Sequence, residues 1–101
     1  MTSTRAERAF AAVQQELDNE RAAVLGRTGR GLEVALARCD ALGRLLDEST
    51  DDDARAVLLA EYRAARTSSE EWRWRLHVQR EALGLTDHRW VDRVHPQPAM
   101  R

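Results

Sequence analysis

The stretch VLGRTGRGL, residues 24–32, decides the fold of this 101-residue chain, because it forms either a turn or the middle of one long helix. Apolar residues on both sides of it recur at helical spacing, and steps of about 100° per residue place them in a single stripe. The members of this apolar stripe are Phe10, Val13, Leu17, Val24, Leu25, Leu32, Ala35, Leu36, Cys39, Leu42 and Leu46.

The two interpretations of the glycine-rich stretch have different physical support. A turn would normally reset the helical phase, and the phase is preserved across the stretch. Against a helix stands the cost of Gly26, Gly29 and Gly31, about 1 kcal/mol each relative to alanine. We predict one continuous helix over about residues 4–48. The alternative is a break at 26–31, which would make a three-helix bundle.

The ends of the first two helices carry their own sequence signals. Thr4 and Glu7 form a capping-box pattern, so the first helix should begin there. The polar run Ser49–Asp53 ends that helix, and Ser49 or Thr50 should cap a second helix over about 51–84. Gly84 then predicts a glycine stop. The expected product is a long antiparallel helical hairpin.

A short third helix should follow the hairpin. Thr86 is expected to cap a helix over about 87–94. This segment carries Trp90, and we expect it to return over Phe10 and Val13 at the beginning of the first helix.

The hairpin register suggests a reason for the glycines. Equal distances from the bend put Trp72 opposite residues 27–30. We therefore expect the glycines to make room for this indole, and we expect Gly29→Leu to destabilise the fold.

Composition restricts the class of protein. The formal net charge is -1, but residues 1–53 are acidic and residues 54–101 are basic, which favours antiparallel packing of the two halves. The absence of lysine and the many arginines and alanines suggest a GC-rich, bacterial coding sequence. A single cysteine and no secretory pattern predict a cytoplasmic protein. We predict one domain over 1–95 and a flexible, proline-containing tail over 96–101.

Two helices form a thin core, so apolar surface should stay uncovered. We expect this surface to bind a second copy, most simply as a dimeric four-helix bundle, or to bind another protein. The alternative for its alanines is that they are only good helix formers on a solvated face. The candidate partner-binding residues are Val34, Ala37, Ala41, Leu45, Trp74 and Val78.

Arginines follow one flank of the second helix. Arg66, Arg73 and Arg80 are spaced by seven residues, and tryptophans lie nearby, which is the composition of a nucleic-acid face. The other interpretation is that these arginines pair with acidic residues of a facing first helix, within one chain or across a dimer, as in a coiled coil. We favour the ion pairs and keep the nucleic-acid face as an alternative.

A candidate metal site and a candidate nucleophile complete the set. His88, Asp92 and His95 would share one face of the third helix, and such ligands can bind iron or zinc. The commoner role of such residues is as solvated or capping side chains, so we predict no metal and no cofactor. Cys39 belongs to the apolar stripe and lacks a neighbouring histidine, which favours a packed thiol over a nucleophile.

The sequence therefore predicts an all-α protein without a catalytic centre. No nucleotide-binding loop or hydrolase motif is present. We expect a small, non-enzymatic interaction or assembly module that associates with itself through helical faces. Nucleic-acid binding through the arginines and metal binding through His88, Asp92 and His95 are the two alternatives.

Overall fold

The computed structural model describes residues 4–101 as an all-α hairpin with a short third helix. Helix α1 spans Arg5–Glu48, α2 spans Asp52–Ala82 and α3 spans Arg89–Val94. The molecule is a rod of 73 × 20 × 17 Å. Helix α1 is unbroken through the glycine-rich stretch, so the continuous-helix prediction is confirmed and the break at 26–31 is not observed.

The glycine-rich stretch does accommodate Trp72, but at a different glycine from the one we expected. A Cβ atom built on Gly31 would lie 2.6 Å from the Trp72 ring, whereas a Cβ built on Gly29 would have no atom within 4 Å. The hairpin register is therefore shifted slightly from the equal-distance estimate. Gly31 is the residue that must lack a side chain, and the reason given for the Gly29→Leu prediction is wrong.

The helix ends follow local hydrogen-bonding rules. The reciprocal capping box between Thr4 and Glu7 is present. At the bend, Asp51 rather than Ser49 or Thr50 caps α2, since its carboxylate accepts from the Ala54 amide at 2.8 Å.

The end of α2 is a glycine stop, as predicted. Gly84 has a φ of +83°, in the left-handed region that glycine adopts without strain. The Leu85 amide then donates to the Arg80 carbonyl at 3.0 Å, which closes the end of the helix. Helix α3 begins after His88 without a side-chain cap, so the prediction of Thr86 as its cap is wrong.

The core consists of two clusters along the hairpin. Near the bend, Cys39 and its neighbours on α1 pack against Tyr62 and Ala65 of α2. In the middle of the rod, Leu32 of α1 and Leu76 of α2 enclose Val91 of α3, which is fully buried.

Helix α3 thus covers the middle of the hairpin and not its open end. Phe10 and Val13 are exposed, and the Trp90 side chain is also more than half exposed. The expectation that the Trp90 segment would return over the beginning of α1 is therefore wrong.

The C-terminal arm, residues 85–101, runs back along α2 towards the bend. The Tyr62 hydroxyl donates to the Ala99 carbonyl at 2.6 Å, and the Arg101 guanidinium pairs with Asp47 of α1 at 2.8 Å. The Arg101 hydrogen bond lowers the pKa of the Asp47 carboxyl. The prediction of a flexible tail over 96–101 did not include these contacts. Within residues 4–101, no helix is both long enough and apolar enough to cross a membrane.

Candidate interaction surface

The first part of α1 extends beyond the rest of the molecule. All residues from Thr4 to Val24 are exposed, and we name residues 5–24 the α1 extension. Helix α1 has 44 residues and α2 has 31, so α2 ends before it can cover the beginning of its partner. At 1.5 Å per residue the extension is about 30 Å long.

The α1 extension carries four members of the apolar stripe, and within residues 4–101 no helix covers them. Phe10, Val13, Leu17 and Val24 continue the phase of the buried Leu32, and they are 71%, 56%, 41% and 37% exposed. Most helical stability in proteins comes from the packing of an apolar face and not from intrinsic helix propensity. The extension therefore has the apolar stripe of a helix that packs against a partner, but its stripe residues are exposed.

A groove lies where α2 ends beside α1. It has a volume of about 660 Å³, and its apolar walls are Leu17, Val24 and Leu25 on one side and Ala82 and Leu83 on the other. The polar side chains of Glu20, Arg21 and Gln79 complete its lining. Leu83 is itself 37% exposed at the end of the α2 apolar face. The stripe of the extension thus leads directly into an open apolar recess of the hairpin.

The six residues predicted to bind a partner lie elsewhere, on the sides of the hairpin. All six are exposed, with Val34 at 70% and Trp74 at 67%. They project from two helices, and those on α1 face away from the core that α1 forms with α2. This second surface stays a prediction.

The arginine row binds the C-terminal arm and not the acidic residues of α1. Arg73 is only 5% exposed, and it donates to the His95 carbonyl and, at 3.2 Å, to the Asp92 carboxylate. Arg66 donates to the Pro98 carbonyl at 3.2 Å and also pairs with Glu70 of its own helix.

Arg80 completes this row by donating to the Asp87 carbonyl at 3.0 Å. Among residues 4–101 no ion pair joins α1 to α2, so the pairing expected within one chain is wrong, and pairing across a dimer stays a prediction. Because Arg66, Arg73 and Arg80 are all occupied by the arm, the geometry does not favour a nucleic-acid face there.

The candidate metal residues do not form a common site. His88 contacts Glu81 at 2.9 Å, Asp92 pairs with Arg73, and His95 is buried at the end of α3. Within the described part of the chain, no group of three or more potential ligands is arranged to hold a metal ion.

A histidine pair joins the C-terminal arm to α2. The rings of His77 and His88 are stacked, with centroids 4.1 Å apart and 13° between their planes. Burial, followed by the neighbouring His88, lowers the pKa of His77, although Asp92 and Glu81 oppose this effect. The pair therefore favours a neutral His77 while the arm is docked.

Cys39 is a core residue, as predicted. It is 1% exposed and packs in the cluster near the bend. Burial raises the pKa of its thiol, which disfavours the reactive thiolate.

Sequence reasoning missed the α1 extension because it assigned α3 to cover Phe10 and Val13. The predicted helix lengths already contained the signal, since a helix over about 51–84 is shorter than one over about 4–48.

Comparisons of this chain with protein-family models, with curated proteins and with solved structures find no match.

Proposed function

We propose that this chain is a small, non-enzymatic protein–protein interaction and assembly module that associates with itself through helical faces. The observation that carries the proposal is the uncovered stripe Phe10, Val13, Leu17 and Val24 on the α1 extension. A protein with one buried thiol suits a reducing cytoplasm, which is the location we propose.

The energetics support association through this stripe. Full burial of a Val, Leu or Phe side chain stabilises by about 1.5–3 kcal/mol, and a symmetric interface counts each of them twice. Association costs about 4–15 kcal/mol in lost translational and rotational freedom. Burial of all four side chains on both copies can therefore offset the cost of association, whereas burial of one or two of them cannot.

The test is the molar mass of the full chain over a range of concentrations, measured by sedimentation velocity or light scattering. The wild-type chain should convert from monomer to a larger species as concentration rises. Leu17→Asp should abolish the larger species, since it puts a charge in the middle of the stripe. Its matched control is Ala12→Asp on another face of the extension, which should leave association intact.

The second surface is tested in the same measurement. If Val34→Asp abolishes association while Leu17→Asp does not, the side of the hairpin mediates the contact and the extension does not. A wild-type chain that stays monomeric at all concentrations, with its helix content unchanged, would overturn self-association altogether.

A further inference from the structure

We infer that the partner of the α1 extension is the same segment of a second copy, paired antiparallel, with the two-fold axis between Val13 and Gln14. This inference rests on the proposed function, and it adds the orientation and the register of the contact. In this arrangement the two extensions form a central helix pair, and one hairpin body lies at each end of that pair.

The position of α2 supports the antiparallel orientation. From Leu25 onwards, the apolar stripe of α1 is covered by α2 and is unavailable to a second chain. In a parallel pair, the two α2 helices would meet at the same end and compete for the space beside α1. In an antiparallel pair, the two uncovered halves overlap and the two hairpin bodies lie apart.

The charges of the extension support the same orientation. The first half of the extension carries Arg5, Glu7 and Arg8, a net charge of +1, and its second half carries Glu16, Asp18, Glu20 and Arg21, a net charge of -2. Antiparallel pairing brings the net positive half of one copy alongside the net negative half of the other. Parallel pairing would instead bring the three acids of each copy together, which is unfavourable.

The register follows from the groove at the end of α2. With the axis between Val13 and Gln14, Phe10 of one copy faces Leu17 of the other. Arg5 then lies level with residue 22 of the second copy, so that the first helical turns reach the groove between α1 and Leu83. The long Arg21 side chain faces the small Ala6.

Cysteine cross-linking tests this orientation in the full chain. Ala6, Gln14 and Arg21 are exposed, so single cysteines there should not disturb the fold, and the native Cys39 is too buried to interfere. A disulfide requires Cα atoms closer than about 7 Å. We expect Gln14→Cys to form a disulfide dimer with itself under mild oxidation.

The other two variants distinguish antiparallel from parallel pairing. In a mixture, Ala6→Cys and Arg21→Cys should cross-link to each other, and neither should cross-link to itself. Two Ala6 positions would be about 22 Å apart along the axis of an antiparallel pair. Self-cross-linking at all three positions would overturn the inference but leave self-association standing. A chain that stays monomeric would overturn both.

The length of the dimer gives an independent readout. Two copies that overlap only through their extensions should form a rod of about 100 Å along the helices. A parallel or fully overlapped pair would keep the 73 Å length of one chain. Small-angle scattering of the associated species separates these values, and a length near 73 Å would contradict the inference.

Discussion

The α1 extension and the hairpin body share one helix and one apolar stripe, yet they differ completely in burial. Leu32, in the body, is 0% exposed, whereas Leu17, four turns earlier on the same face, is 41% exposed. The phase of the pattern is the same in both regions. What differs is whether another element reaches that part of the helix, and this depends on the length of α2 and on the path of the chain after Gly84.

The largest expected effect is the difference in unfolding free energy between a leucine-to-alanine substitution in the hairpin body and one in the α1 extension. Leu32→Ala removes a fully buried side chain and should lower the free energy of unfolding by about 2–5 kcal/mol. Leu17→Ala should change the free energy of unfolding of the monomer by much less, and should instead weaken self-association. Chemical denaturation at low protein concentration measures the difference. Equal losses for both variants would show that the extension is packed within the single chain.

A smaller effect distinguishes two glycines within the body. Gly31→Ala forces a methyl group to within about 2.6 Å of the Trp72 ring, and the resulting overpacking should cost about 1–3 kcal/mol of unfolding free energy. Gly29→Ala adds a methyl group in open space and should stabilise the helix by up to about 1 kcal/mol. Denaturation curves of the two variants should therefore shift in opposite directions. A shift in the same direction would contradict the assignment of Gly31 as the recess.

The smallest effect concerns pH and the C-terminal arm. The folded-state pKa of His77 lies below its ordinary value of 6.5, so below that pH the unfolded chain binds more protons than the folded chain. The stability contributed by neutral His77 is present above pH 6.5 and is lost as the pH falls through 6.5 towards the folded-state pKa. His88, Glu81, Asp92 and Arg73 are the charged or titratable groups that face this ring.

The measurement is the free energy of unfolding at pH 7.5 and at pH 5.5, with hydrogen exchange of residues 85–101 followed in parallel. The wild-type chain should lose stability at the lower pH, and the arm should exchange faster. His77→Phe keeps an aromatic ring beside His88 but cannot titrate, so it should show a smaller loss. An unchanged pH dependence in His77→Phe would assign the effect to other groups.

Much of the fold followed from local signals. The continuous helix α1 was predictable because the apolar stripe keeps its phase across the glycines. The capping box at Thr4 and the stop at Gly84 were predictable because they depend on hydrogen bonds within a few residues. The packed thiol of Cys39 followed from its place on the stripe.

The candidate surface was predictable only in part. Val34 and Trp74 were expected to be exposed because they lie off the apolar stripes of their helices, and they are. Phe10 and Leu17 lie on the apolar stripe. Helical periodicity identifies the apolar face of a helix, but it does not identify the element that packs against that face. The role of Arg73 was also hidden, since its partners are the His95 carbonyl and Asp92 in an arm distant in sequence.

The sequence by itself determined where α1 and α2 start and stop, to within a few residues, and which of their faces is apolar, because backbone hydrogen bonds and side-chain periodicity act over a few residues. The tertiary structure alone decided that Trp72 rests on Gly31, that α3 inserts Val91 at the middle of the rod, and that the arm takes up the arginines. These outcomes depend on helix rotation and on the direction of the chain after Gly84, which set distances between residues far apart in sequence. The uncovered stripe on the α1 extension is the consequence of both.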